Sequence, residues 1–150
     1  MRKIILLAIM MLSFTTHAAY ACSDEKQQAI NKQNVVAFYN EVINNKNFAA
    51  ASAYLGSRYT QHNPTAADGP EGLKAFIQYL RDNYPKAHSD IKRVFASGNY
   101  VILQVHSVRE PGTRGRAIFD LFKLEKGKIV EHWDAVQEIP EKSANVNTMF

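Results

Sequence analysis

Cysteine is nearly absent from this sequence, and several other features that would restrict its function are missing as well. The one cysteine, Cys22, cannot form a disulfide within the chain. Lysine and arginine form no cluster and no stripe with aromatic residues, so we expect no nucleic-acid partner. The HxH and HExxH spacings of metal sites do not occur, and we predict neither a metal nor another cofactor. What remains is a globular composition, 46% hydrophobic and 21% charged, sufficient for one domain with a sizeable core.

The N-terminus has the pattern of a secretory signal peptide. Two basic residues precede an apolar run of 11 residues at 4–14, and small residues stand at both ends of the triplet 19–21. The run is too short for a membrane span, which needs about 20 apolar residues. We therefore predict cleavage of residues 1–21 and export of the chain 22–150 to the periplasm or the medium. A lipid anchor on Cys22 is the alternative to simple export.

Periodicity along the rest of the chain predicts helices first and strands afterwards. Apolar residues recur at helical spacing over about 30–42 and 70–84, and the alanine-rich segment 48–55 suits a shorter helix. Residues 58–69 have no helical period and are predicted to form a loop. From Ser89 onward the period becomes two, with strands at about 89–97, 100–109, 117–124 and 128–137. This order predicts an α+β domain, with N-terminal helices packed on one face of a curved antiparallel sheet.

The turn between the last two strands decides which of their side chains meet. A three-residue loop with a glycine bulge at 125–127 pairs Asp120 with His132, on one face of the sheet. A two-residue loop would instead pair Asp120 with Trp133 and separate the polar residues. We favour the three-residue loop.

One predicted sheet face then combines ionisable groups with apolar neighbours. Its polar members are Gln104, His106, Asp120, His132 and Asp134. Buried charges persist when they are paired, so this set suits a pocket covered by helices, where carboxylates acquire raised pKa values and transfer protons. The opposite face is apolar, and we expect a homodimer through it.

The order of elements and several short motifs resemble the SnoaL-like group of the nuclear-transport-factor-2-like superfamily. These motifs are QHNP at 61–64, DG at 68–69, DLFKLEKGKIVEHWD at 120–134 and the closing Gln137. The resemblance covers about residues 30–140 and is strongest to bacterial SnoaL-like proteins predicted to catalyse aldol condensation. It implies a cone-shaped domain with a hydrophobic cavity, and commonly a dimer across the open sheet face.

The resemblance also implies chemistry. In polyketide cyclases of the group a cavity aspartate moves the proton in an aldol ring closure, and related epoxide hydrolases use an aspartate on a strand. By position, Asp120 and Asp134 are the candidates here, with His132 as their partner and as the third predicted catalytic residue. The residues that we predict to contact a small apolar or aromatic substrate are Tyr59, His62, Asn63, Gln104, His106 and Phe122.

Less specific interpretations of the same residues remain open at this point. Asp120 can be a structural carboxylate that holds His132, and His106 can be a core histidine with satisfied hydrogen bonds. His62 and Asn63 can bind loose backbone groups at the pocket rim. Because fold does not fix function, a non-catalytic ligand-binding protein and a protein-interaction module are alternatives to an enzyme.

Overall fold

A computed structural model of the protein describes residues 24–150. The predicted signal peptide, residues 1–21, and Cys22 lie outside the described residues. Between residues 24 and 150 no helix has the length and apolar character needed to cross a bilayer. Helices and strands occur in the predicted order apart from one strand before the last helix, and the helices pack on one face of the sheet, which confirms the α+β class.

Across the range 24–150 the helical layer consists of three helices, and apolar residues of each belong to one core. They are α1 (24–39), which continues as a π-helical turn over Asn40–Asn44, α2 (Phe48–Ser52) and α3 (Gly69–Asn83). In the first of these, Val35, Phe38 and Val42 recur every three to four residues and are all buried in the core.

Helix α3 closely follows its prediction. Pro70 stands in its first turn, where the fixed φ of proline fits a helix and the missing N–H is not needed. Leu73, Ile77 and Leu80 form a stripe on one side of the helix, and each is at most 4% exposed. This stripe fixes how α3 lies over the sheet.

The sheet has five strands in the order β1-β5-β4-β3-β2. The strands are β1 (Leu55–Gln61), β2 (His88–Ser97), β3 (Tyr100–Val108), β4 (Arg116–Glu125) and β5 (Lys128–Glu138). The last four form the predicted antiparallel meander, whereas β1 lies parallel to β5. Strand β5 therefore lies between β4 and β1.

Strand β1 corrects two local predictions. The helix predicted for 48–55 ends at Ser52, and the predicted loop begins with a strand that runs to Gln61. Gly56 does not end a helix but allows β1 to approach β5, since a Cβ there would lie 2.7 Å from Cγ1 of Val130. A short parallel edge strand has no clear period of two, so its pattern resembled a loop.

The register of β4 and β5 differs from both predicted alternatives. The turn is a two-residue loop, Lys126-Gly127, in which both residues have positive φ (50° and 77°), and Glu125 pairs with Lys128. A bulge at Val130 then shifts the register by one residue. Asp120 consequently pairs with Asp134, two residues from the predicted partner. Because side chains alternate every second residue, the shift by two leaves Asp120, His132 and Asp134 on one face.

The two faces of the sheet have different environments. The inner face, which packs against the helices, carries the buried Val101, Leu103 and Val105 of β3. The outer face carries Phe95, Ile102 and Phe119, with exposed fractions of 52%, 38% and 49%. An apolar outer face was predicted. Gln104 and His106 of β3, which were predicted for the inner face, also lie on this outer face.

Candidate functional site

A cavity of about 700 Å³ lies between the inner face of the sheet and the helices. Aromatic and aliphatic side chains of α1 and α3 form its roof, among them Phe38, Tyr39, Leu73, Phe76 and Leu80. Its floor is the inner face of β3, β4 and β5. The volume falls within the range of small-molecule sites, which are concave and mostly apolar with a few convergent polar groups.

Asp120 and His132 form a buried pair in the wall of this cavity. Oδ1 of Asp120 lies 3.0 Å from Nε2 of His132, and the two residues are 5% and 9% exposed. The contact runs diagonally across the β4–β5 ladder, because His132 pairs directly with Phe122. A buried carboxylate needs such a partner, since an isolated charge in an apolar setting is strongly destabilising.

Gln61 holds the other nitrogen of His132. Its side-chain oxygen Oε1 lies 2.9 Å from Nδ1 of His132, and its Nε2 donates to the hydroxyl of Tyr59 at 2.9 Å. With the amide in this orientation, Nδ1 carries a hydrogen that it donates to Gln61. One shared proton then lies between Nε2 and Asp120, so the pair is either a carboxylate with an imidazolium or a neutral acid with a neutral ring.

The second carboxylate oxygen of Asp120 is free. Oδ2 is buried and has no hydrogen-bond partner among the described residues. Burial raises the pKa of Asp120, the hydrogen bond and charge of His132 oppose the rise, the charge of Asp134 adds to it, and the nearby hydroxyl of Tyr39 lowers it. The site thus contains a carboxyl group with a raised pKa and an oxygen that lies near the Tyr39 hydroxyl but within hydrogen-bond distance of no described residue.

Asp134 is fixed by the loop that follows β1. Nδ2 of Asn63 lies 2.8 Å from each oxygen of Asp134. Oδ1 of Asn63 accepts from the backbone N–H and the hydroxyl of Thr65, at 2.8 and 2.7 Å, which sets the orientation of the amide. The QHNP motif thereby connects this loop to β5 at the cavity.

Tyr59 supplies a hydroxyl to the same wall. Burial, with smaller effects from Asp120 and Asp134, raises its pKa well above the usual range, so the hydroxyl stays protonated. Since its oxygen already accepts from Gln61, its hydrogen is available to a bound molecule. Tyr59 is therefore suited to donate to an oxygen of a substrate.

The site also has the composition of a metal-binding set. Asp120, His132 and Asp134 each offer one ligand atom, and these atoms lie within 4.8 Å of one another. Oxygen and imidazole ligands suit several divalent cations. Asp120 and His132 are, however, already hydrogen-bonded to each other, and Asp134 is hydrogen-bonded to Asn63. Each of the three side chains therefore has a hydrogen-bond partner without a cation.

Residues 35–132 match the family described as the SnoaL-like domain. This segment is about two thirds of the chain, and it includes most of the cavity wall. The chain belongs to the SnoaL-like domain family. A search of curated proteins finds no match to the sequence.

Solved structures with the same fold include other SnoaL-like and nuclear-transport-factor-2-like proteins. A candidate polyketide cyclase from Acidithiobacillus ferrooxidans is 19% identical, with a TM-score of 0.60 over 71% of this chain and 87% of its own. A candidate SnoaL-like polyketide cyclase from Jannaschia sp. CCS1 is 18% identical, with a TM-score of 0.59 over 73% and 86%. A nuclear-transport-factor-2-like protein of unknown function from Cytophaga hutchinsonii is 22% identical, with a TM-score of 0.55 over 71% and 89%. These similarities establish the fold.

Six of the nine predicted site residues of this SnoaL-like domain line the cavity. They are Tyr59, Asn63, Asp120, Phe122, His132 and Asp134. The predicted location of the other three is wrong. His62 stacks on Trp133, with ring centroids 4.2 Å apart, and its Nε2 lies 3.2 Å from Glu131, away from the cavity.

Gln104 and His106 lie on the outer face of the sheet. In the β3–β4 register, Gln104 pairs with Phe119 and His106 with Ala117, whereas Asp120 pairs with Leu103. Gln104 accepts from Arg93 at 2.6 Å, and His106 contacts the carbonyl of Arg114 at 2.8 Å. The prediction grouped the polar residues of β3 with those of β4, because no turn of known length fixes the register of these two strands. It therefore placed Gln104 and His106 on the wrong face of the sheet.

Several cavity residues of the SnoaL-like domain were not predicted. Gln61 was quoted only as part of a motif, because the strand that aims it at His132 was interpreted as a loop. Tyr39 lines the cavity from α1, where its helical spacing made it a core residue. Arg109 and Arg116 flank a Pro-Gly turn, and no motif in the sequence marks them as cavity residues.

Proposed function

We propose that this SnoaL-like protein is an acid/base catalyst in which Asp120 moves a proton on a small apolar or aromatic molecule held in the cavity. The observation that carries this proposal is the unpartnered Oδ2 of Asp120 in the cavity wall. A buried oxygen without a partner destabilises the folded protein, and a substrate proton would supply what is missing. The raised pKa of Asp120 also moves it toward the range in which a carboxyl group can both accept and return a proton.

The reaction that we propose first is an aldol-type ring closure. Oδ2 of Asp120 takes a proton from a carbon beside a carbonyl group, and the resulting enolate carbon forms a bond to a second carbonyl carbon of the same molecule. The proton then returns to the alkoxide oxygen, so that the carboxylate is regenerated. The hydroxyl of Tyr59 is placed to donate to the enolate oxygen. Isomerisation and epoxide opening use the same carboxylate on other substrates.

The other site residues have supporting roles in this proposal. His132 fixes the orientation of Asp120 and stabilises its charge through the Nε2 contact. Asp134 raises the pKa of Asp120 and is itself held by Asn63. Phe122, which is 1% exposed, supplies apolar surface to the cavity floor. No cofactor is needed for this chemistry, because the carboxyl group both takes and returns the proton.

The substitution Asp120→Asn tests the proposal, because it keeps the shape of the side chain and removes the base. We expect turnover of a diketone or similar test substrate to fall about 10²–10⁴-fold, the usual contribution of a general acid/base. Binding of an apolar fluorescent probe in the cavity should change little. The matched control is Asp82→Asn on the exposed side of α3, which should leave turnover unchanged.

The rival function is a ligand-binding protein without catalysis, which uses the same cavity for carriage or sensing. If Asp120→Asn binds every probe like the parent and no tested substrate is converted by either protein, the enzyme proposal fails and the binding protein takes its place. A protein-interaction module that uses the outer face would show neither turnover nor probe binding.

We also propose that the protein is exported and acts as a homodimer. The outer face supports the dimer, because Phe95, Ile102 and Phe119 adjoin one another across β2, β3 and β4 and remain exposed. Export rests on the pattern of residues 1–21. The intact mass of the protein recovered from the periplasm or medium would test it, since a retained N-terminus contradicts cleavage and an added lipid mass at Cys22 indicates an anchor.

A further inference from the structure

Two arginines lie at one end of the cavity, at a distance from the acid/base pair. Arg109 follows the inner-face residue Ser107 by two positions, and Arg116 pairs with Ser107 at the start of β4. Both arginines line the cavity. Arg116 shares the inner face of β4 with Ile118 and Asp120, and four residues of extended strand separate its backbone from that of Asp120 by about 13 Å.

The positive charge of these arginines is poorly matched within the described part of the chain. The side chain of Arg116 is 19% exposed, and its one carboxylate contact is to Glu138 at 3.9 Å, whose own side chain is 76% exposed. Arg109 lies over the ring of Tyr84, 5.3 Å from the centroid, and contacts no carboxylate there. Neither guanidinium donates a hydrogen bond to another described residue within ordinary bonding distance.

Two other arginines of the same domain have acceptors by comparison. Arg58 donates to Glu125 and Glu131 at 2.9 and 3.1 Å, although it is more exposed than Arg116. Arg93 donates to Gln104 at 2.6 Å. A guanidinium carries five N–H donors in a planar fork and is destabilising when it is withdrawn from water without acceptors. The cavity arginines therefore lack acceptors of the kind that Arg58 and Arg93 have.

We propose that the molecule bound in the cavity carries a carboxylate, which Arg109 and Arg116 hold while its apolar body extends toward Asp120. This proposal rests on the proposed function, since it assigns the substrate class of the same cavity. The guanidinium fork matches a carboxylate in two parallel hydrogen bonds. Apolar side chains such as Ile118 lie between the two ends, so the ligand class is an apolar or aromatic acid.

Displacement of N-phenyl-1-naphthylamine, an uncharged fluorescent probe, tests this assignment in the complete protein. Naphthalene-2-acetate and its uncharged amide are compared as competitors, because they differ in the charged group and hardly in shape. We expect the acid to displace the probe at a concentration at least about tenfold lower than the amide, the effect of one charge-assisted hydrogen bond. The preference should weaken in high salt.

Two variants separate the cavity arginines from general positive charge. In the double variant Arg109→Gln and Arg116→Gln, the acid should lose its advantage while the amide and the probe bind within about twofold of the parent. Arg114→Gln is the matched control, because Arg114 lies in the same loop but does not line the cavity. It should leave the preference for the acid unchanged.

The outcomes distinguish this proposal from the proposed function. Equal displacement by acid and amide in the parent protein overturns the assignment of a carboxylate, and this measurement needs no variant to fold. An acid preference that survives the double substitution overturns the role of the two arginines. Loss of activity in Asp120→Asn with equal acid and amide binding would support the acid/base proposal and reject the carboxylate. Failure of the probe to bind at all would reject both.

Discussion

His132 packs its ring against Phe122, with centroids 4.7 Å apart, while its Nε2 reaches Oδ1 of Asp120 at 3.0 Å, one inner-face position further along β4. The histidine is therefore held by an apolar ring on one side and by a carboxylate on the other. Asp120 in turn experiences two neighbours of opposite effect, because His132 lowers its pKa and Asp134 raises it. These opposite effects make the proton-transfer proposal testable without knowledge of the natural substrate.

The acidic limb of the profile of kcat/KM against pH should move in opposite directions in two variants. A general base is lost as the pH falls through its pKa, so a raised pKa of Asp120 places the acidic limb of kcat/KM above that of an ordinary aspartate. His132→Asn removes the hydrogen bond and charge that lower this pKa, and should move the limb to higher pH. Asp134→Asn removes the charge that raises it, and should move the limb to lower pH.

The measurement is kcat/KM as a function of pH, with any substrate that the parent protein converts. Asp82→Asn serves as the control and should keep the profile of the parent. Shifts of both variants in the same direction would contradict the assignment of the limb to Asp120, since one common effect on folding or binding would then explain them.

The outer face makes a prediction about oligomeric state. Phe119→Asp places a charge within the apolar patch, where burial in an interface would be strongly unfavourable. We expect sedimentation velocity to show a dimer for the parent and a monomer for this variant. Ile30→Asp is the matched control, because Ile30 is 38% exposed on α1 and should leave the dimer intact. A parent protein that sediments as a monomer at tens of micromolar would exclude the proposed interface.

Glu131 should contribute stability that disappears in acid. Hydrogen bonds from Lys123, Arg58 and His62 lower the pKa of Glu131 to about 2. A carboxyl group with a lowered folded-state pKa stabilises the protein fully above its ordinary value, near 4.5, and loses this contribution as the pH falls toward 2. The difference in urea midpoint between the parent and Glu131→Gln should therefore be greatest at neutral pH and shrink between these limits.

Glu125→Gln provides the comparison for this experiment. Its carboxylate contacts Arg58 alone, and both side chains are 47% exposed, so the substitution should change the midpoint much less. A difference between the parent and Glu131→Gln that stays constant from neutral pH to pH 2 would show that the ion pairs of Glu131 do not stabilise the fold.

Phe122 should contribute heavily to stability as well as to the cavity floor. It is 1% exposed and packs edge-on against Phe38, with centroids 5.9 Å apart. Phe122→Ala should lower the free energy of unfolding by about 3–5 kcal/mol, the range for large-to-small changes of a buried phenylalanine. Tyr100→Ala, at a site that is 41% exposed, should cost about 0.5 kcal/mol. Similar losses for the two variants in urea titration would show that the β4–β5 core does not hold the fold together.

The features predicted well from sequence are those with a strong period and a clear boundary. Helix α3 combines a proline start with a stripe of leucine and isoleucine, and the strands after Ser89 follow a period of two except at the bulges in β2 and β5. The gathering of Asp120, His132 and Asp134 on one face also follows from alternation. That result survived an incorrect register, because the observed pairing differs from the predicted one by two residues.

The features that could not be predicted depend on contacts between distant segments. Strand β1 forms because Gly56 allows a close approach to β5, and no local sequence pattern predicts this approach. The bulge at Val130 depends on how that strand packs between two neighbours. Joining β3 to β4 across the 109–115 loop required a register that loop length does not fix, and this is why Gln104 and His106 were assigned to the wrong face.

The extra residue at Val130 governs how this domain tolerates insertions and deletions. Loss of one residue between Gly127 and Glu131 would remove the bulge and leave Glu131 opposite Lys123, so the imidazole and carboxylate on either side of Trp133 would still point at the helices. Loss of a second residue there would instead turn the rest of β5 over by half a period and point them at solvent. Related chains that keep the chemistry can therefore lack the extra residue, whereas a hairpin shorter by two residues should accompany a different use of the cavity.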